Sequence, residues 1–98
     1  ILSSAASDVY KRQVAAAVGE RLARLGQTTQ TLVVTHSPQV AAKGDQHMKI
    51  AKTATDSGVI SGTEPLDDSA RTEEIARMLA GEEITAEARA AALALREG

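Results

Sequence analysis

The run Thr31-Leu32-Val33-Val34-Thr35-His36-Ser37-Pro38-Gln39-Val40 decides how this chain is read. Its first five residues are apolar or β-branched without a break, the composition of an interior parallel strand buried on both faces. The run stops at His36, and Ser37-Pro38 opens a short helix. The serine hydroxyl can cap that helix, and proline is tolerated at its first position because the missing N–H would have had no partner there. One imidazole is thereby expected at the tip of a buried strand, where ligands of α/β folds bind. His36 is the candidate site residue.

Upstream, Val14, Val18, Leu22 and Leu25 recur at helical spacing, with Glu20, Arg21 and Arg24 on the other side, which predicts a helix over 14–25 closed by Gly26. Helix, short polar connection and strand form the second half of an α/β unit, whose first strand this chain lacks. Downstream, Lys43-Gly44 closes the short helix. Residues 46–53 and 58–64 flank Thr55-Asp56-Ser57-Gly58, a turn suited to a β-hairpin, with Met48 and Ile50 on one face and Pro65 ending the second strand. Ile75, Met78 and Leu79 then mark a helix that Gly81 stops. Thr85 caps a last, alanine-rich helix over 86–96, for which Leu93 is expected to supply the large apolar contact.

Residues 3–13, SSAASDVYKRQ, look like the in-frame translation of a sequencing adapter, so 1–13 is set apart as a non-native segment and 14–98 is read as one unit. The whole chain carries 11 basic and 13 acidic side chains. Setting aside Asp8, Lys11 and Arg12 leaves 9 basic against 12 acidic, a net charge of about −3, which argues against autonomous binding to nucleic acid. There is no Phe, Trp or Cys, and Tyr10 is the single aromatic residue. A core made of Ala, Val, Leu, Ile and Met alone is thin, and the chain is expected to borrow stability from neighbours it does not contain. Disulfides and thiolate metal sites are excluded, which fits a reducing cytoplasm. No apolar run approaches the ~20 residues that span a bilayer, and no secretion signal opens the chain.

Several chemistries are absent from the pattern. A phosphate loop needs Gly-x-x-x-x-Gly-Lys-Ser/Thr, and none occurs, so the chain cannot hold a nucleoside triphosphate by itself. His36, His47 and Asp45 do not have metal-ligand spacing, and no residue is assigned to a metal. His36 and Ser37 point apart as neighbours at a strand end and lack a nucleophile elbow. Glu73-Glu74 and Glu82-Glu83 read as solvated charge at helix ends. For His36 itself, spacing alone leaves two readings open, a ligand contact or a structural hydrogen bond to its own loop.

Three stretches in order, Arg21-Leu22-Ala23-Arg24-Leu25-Gly26, Leu32-Val33-Val34-Thr35-His36-Ser37-Pro38-Gln39-Val40-Ala41-Ala42 and Glu73-Glu74-Ile75-Ala76-Arg77-Met78-Leu79-Ala80-Gly81, resemble the C-terminal end of the RecN family of DNA repair proteins. The resemblance runs from about Val14 to Gly98. That family lies in the SMC-like branch of the ABC ATPases, with a head built from both chain ends and a long coiled coil between them. The resemblance implies an α/β fold, the C-terminal part of an ABC-type P-loop ATPase head, ordered as helix, buried strand, short helix, β-hairpin and two terminal helices.

It also implies that His36 is the switch-loop histidine, which is catalytic and contacts the γ-phosphate of ATP. ATP and Mg2+ would be cofactors of the complete parent and of no isolated piece. The implied partners are the remainder of the head, a second head when ATP binds, and DNA through the complete protein, without a membrane. The implied setting is the bacterial cytoplasm, near the nucleoid.

The phosphate loop, the ABC signature, the coiled coil and the acidic magnesium-binding strand are missing, so the chain is expected to be a truncated, inactive piece of an ATPase. Two alternatives stand beside this reading: a piece of another ABC or SMC-like ATPase, and an independent small α/β module that binds a partner protein.

Overall fold

The computed structural model describes residues 4–98. Six elements follow one another: α1 (Ser4–Gly26), α2 (Pro38–Ala41), β1 (Met48–Thr55), β2 (Gly58–Pro65), α3 (Asp68–Ala80) and α4 (Ala86–Glu97). The first helix begins well before Val14. Its opening turns contain neither Gly nor Pro, and nothing in SAASDVYKRQ interrupts helical hydrogen bonding.

The stretch 31–35 is where structure and sequence pattern part. It is not a buried strand here: no β-ladder among the described residues includes it, and Leu32 and Val34 are 79% and 80% exposed. The physical reason is that a parallel strand is made by its neighbours. Its N–H and C=O groups need flanking strands, and the sole sheet among the described residues is the distant β1–β2 hairpin. The segment is therefore left solvated, with its apolar side chains in water. The same cause exposes Val14, Val18 and Leu25 on α1, the stripe that would cover a sheet.

What α1 does bury is its small-residue side. Ala15, Ala16, Leu22 and Ala23 are half-buried and Gly19 is buried, facing α2. A Cβ built on Gly19 would lie 3.1 Å from the Gln39 carbonyl oxygen, 3.2 Å from Lys43 Cγ and 3.3 Å from Val40 Cα. Such distances are tighter than ordinary van der Waals contact, so a methyl there requires α2 to give by a few tenths of an ångström.

The hairpin forms around a two-residue turn, Asp56-Ser57, with Thr55 paired to Gly58 and Met48 to Pro65. Gly58 takes φ +132°, a backbone region closed to most side chains, and Thr55 Oγ1 donates to its carbonyl oxygen at 2.9 Å. Met48 and Ile50 do share a face, and that face is exposed. The alternate residues Lys49 and Ala51 are the half-buried ones.

The terminal helices pack as an antiparallel-style pair joined by a short connection, each with its own cap. Asp67 accepts from Ala70 N at 2.8 Å, and Thr85 accepts from Ala88 N at 3.1 Å. Gly81 stops α3 with φ +81° and donates its N–H to the Arg77 carbonyl at 2.8 Å.

Between the pair lies the core: Ile75, Ala76, Ala88 and Ala92, joined by Ala42 from beyond the end of α2 and flanked by Leu79, Ile84 and Leu95. Leu93, expected inside, is 46% exposed. Ala88, Ala92 and Leu95 define the inner face of α4 at i, i+4 and i+7, and Leu93 falls outside that stripe. Ile75 is the largest side chain that is fully enclosed. Ile75→Ala removes it and is expected to cost about 2–5 kcal/mol. With so small a core that loss should abolish cooperative thermal unfolding, as followed by circular dichroism at 222 nm.

Candidate functional site

His36 occupies a bend between the extended segment and α2, and it is exposed to solvent. Its surroundings are held by other side chains. The Ser37 N–H donates to Thr35 Oγ1 at 3.0 Å, the Val40 N–H donates to Ser37 Oγ at 3.4 Å, and Ser37 Oγ donates to Gln39 Oε1 at 3.1 Å. The imidazole makes no hydrogen bond to another described residue. The loop is thus tied by the hydroxyls on either side of the histidine, and the ring stays free at the tip. Of the two readings left open by spacing, the structural hydrogen bond to its own loop is not the one adopted.

The other histidine lies in a different place. His47 is half-buried in a cleft of about 360 Å³ between the hairpin base and the start of α3, lined also by Asp45, Met48, Pro65 and Arg71. Arg71 is 7% exposed, and its guanidinium donates to the Gly44 carbonyl at 2.7 Å and the Asp45 carbonyl at 3.4 Å. Two buried nitrogens in this cleft, His47 Nδ1 and Arg71 Nε, have no hydrogen-bond partner. Among the described residues no three His, Asp or Glu side chains converge as metal ligands.

Glu74 departs from the expectation of a solvated helix-end charge. It lies in the middle of α3 and is 9% exposed, with its carboxylate accepting from Arg77 Nε at 3.0 Å and paired to Lys49 Nζ of β1 at 3.4 Å. Hydrogen bonding from Arg77, opposed by burial and helped by the Arg77 and Lys49 charges, holds its carboxyl below the usual range. Arg71 and Glu74 carry no sequence signature of their own. Their spacing of i, i+3 on the side of α3 that faces the hairpin is the one available signal.

No protein-family model matches the chain. DNA repair protein RecN of Xylella fastidiosa (strain Temecula1) is 51% identical over 79 residues, which is 81% of this chain and 14% of that protein. The RecN of Rickettsia conorii is 47% identical over 73 residues, 74% of this chain and 13% of its own length. That of Streptomyces coelicolor is 45% identical over 85 residues, 87% and 15% respectively.

The chain is similar to RecN proteins over most of its own length. It spans about a seventh of the length of these RecN relatives. The chain is mixed α and β, and no helix among its described residues is long and apolar enough to cross a membrane.

The His47 cleft makes the stability of this chain depend on pH. Burial comes first in lowering the His47 pKa below its ordinary 6.5; the Arg71 charge adds to this, Glu74 opposes it and Arg96 lowers it further. The unfolded imidazole therefore takes up a proton before the folded one. Stability is complete above pH 6.5 and is lost as pH falls from there toward the lowered folded value. Urea melts at pH 7.5 and 5.5 should show a drop in midpoint, and His47→Gln should flatten that difference.

Proposed function

We propose that this chain is the C-terminal part of a RecN-type ATPase head and that, in the complete protein, His36 contributes to ATP hydrolysis during recombinational repair of DNA double-strand breaks. The observation that carries this reading is the similarity to three RecN proteins over most of the chain, together with a histidine left free at the end of an unpaired strand-type segment. The exposed Leu32 and Val34, with Val14, Val18 and Leu25 on α1, mark the faces that the rest of the head would cover. The reading also includes a second head as partner when ATP binds, and DNA through the complete protein.

In this reading Mg2+ and the triphosphate are held outside this chain, whose sequence contains no phosphate loop. Both belong to the remainder of the head. What this chain supplies is an imidazole N–H that donates to an oxygen of the γ-phosphate as charge develops there. A donor aimed at the transition state, on a backbone already fixed by Thr35 and Ser37, needs little reorganisation at the moment of reaction. The similarity to much longer RecN proteins favours this reading over an independent protein-binding module.

Grafting this segment into a complete RecN protein in place of its own provides the test. His36→Ala should reduce ATP turnover by about 10²-fold or more. The same change in the 98-residue chain should leave its melting midpoint unmoved, because the side chain is exposed. Unchanged turnover in the graft would refute the assignment.

A further inference from the structure

We infer that Gly19 is a positioning residue for His36: the absence of a side chain there lets α2 seat directly on α1, and α2 carries the histidine at its leading end. The inference rests on the role proposed for His36 and adds what sets the place of that ring.

The physical argument starts with what α2 lacks. Four residues make one turn, far below the length at which a helix is stable alone, so Pro38–Ala41 is held by its contacts. It is held by α1 and by the cluster at the α3–α4 pair. The α2 backbone lies on Gly19, close enough that a Cβ there would meet the Gln39 carbonyl oxygen at 3.1 Å and Val40 Cα at 3.3 Å. Ala42, the C-cap of α2, is 5% exposed within the cluster formed by Ile75, Ala76, Ala88 and Ala92. One turn of helix is thus gripped between α1 and the α3–α4 pair through two of the smallest residues available.

The grip is transmitted to the histidine through a few bonds. Ser37 is the N-cap of α2 and His36 precedes it directly, while the Ser37 N–H is tied back to Thr35 Oγ1. Between the clamped turn and the imidazole there is one backbone step with no slack. A shift of α2 away from α1 therefore carries His36 with it. The atoms that would meet a Gly19 side chain are mostly backbone, which cannot rotate aside as Lys43 Cγ can.

Glycine in a helix interior destabilises the helix relative to alanine. A plain helical position in the middle of α1 gains nothing from it. Alanine at this site would recover helix propensity while pressing on α2 by a few tenths of an ångström, and leucine would force α2 off its seat.

The experiment uses two measurements on Gly19→Ala and Gly19→Leu. In the 98-residue chain, amide exchange at Ala41 and Ala42, whose N–H groups donate to the Ser37 and Pro38 carbonyls, reports whether α2 stays seated. Gly19→Leu should lose that protection while α3 and α4 keep theirs, and Gly19→Ala should retain most of it. In a complete RecN protein carrying this segment, Gly19→Leu should lower kcat by roughly 10²-fold, the scale of an ångström-sized misplacement, with KM for ATP little changed. Gly19→Ala should fall between it and the parent.

Unchanged exchange in the leucine variant overturns the seating argument whatever His36 does. If α2 is released and turnover is unaffected while His36→Ala still abolishes it, the positioning role is overturned and the histidine role stands. If His36→Ala itself is without effect, the proposed function has failed, and the exchange result then judges the packing alone.

Discussion

Everything C-terminal to the histidine is organised by a shortage of apolar volume. Among the described residues Ile75 is the largest enclosed side chain, and the other buried apolar residues, Ala42, Ala76, Ala88 and Ala92, are all alanines. Alanine removes little surface from water, and so it allows backbones to approach closely without contributing much burial energy. The elements are held to one another by charge as well. Arg96 joins α4 to α3 through Asp68 Oδ1 at 2.9 Å and Thr72 Oγ1 at 2.8 Å, and Arg89 pairs with Glu73 at 2.7 Å. Lys49 ties the hairpin to α3 through Glu74, and Arg71 ties the loop before the hairpin to the same helix. α3 is the common partner of all four links.

These links are unequal. Arg89–Glu73 lies largely in water, where a pair contributes little. Glu74 and Arg71 are different because each is largely withdrawn from solvent, and a charge there depends on its partners. Losing the Arg77 contact would leave Glu74 buried with Lys49 alone. The orphaned Nδ1 of His47 and Nε of Arg71 show the same arrangement from its costly side: the cleft at the hairpin base encloses more polar atoms than it satisfies.

Local chemistry was legible in the sequence, and the rest was not. Ser37, Thr85 and the glycine stop at Gly81 act where the residues said they would, because a cap is decided within four residues. The hairpin turn at Asp56-Ser57 is equally local. Pairing is not: Thr31–Thr35 has the composition of an interior strand, but no strand among the described residues pairs with it. The exposed face of Met48 and Ile50, the choice of Leu95 over Leu93, and the burial of Glu74 and Arg71 are likewise outcomes of tertiary contact. Periodicity gives a face and leaves open which way it turns. At the site, the sequence singled out His36 and its cap; the close contact at Gly19 has no pattern by which to be found, since a glycine in a helix reads as a weakness.

A proposed phosphate donor has two requirements that usually conflict, a fixed backbone and an uncommitted side chain. A ring locked by hydrogen bonds is well placed and unavailable, whereas a ring on a free loop is available and badly placed. Here the neighbours resolve the conflict: Thr35 and Ser37 take up the loop's hydrogen bonds, Gly19 and Ala42 hold the turn that follows, and His36 makes no commitment of its own. The arrangement stands although residues 31–35 before it join no sheet, because its supports come from α1 and from the α3–α4 pair. The C-terminal helices of this segment thus have a use that does not require them to touch nucleotide: they hold one side of the turn that begins at the histidine.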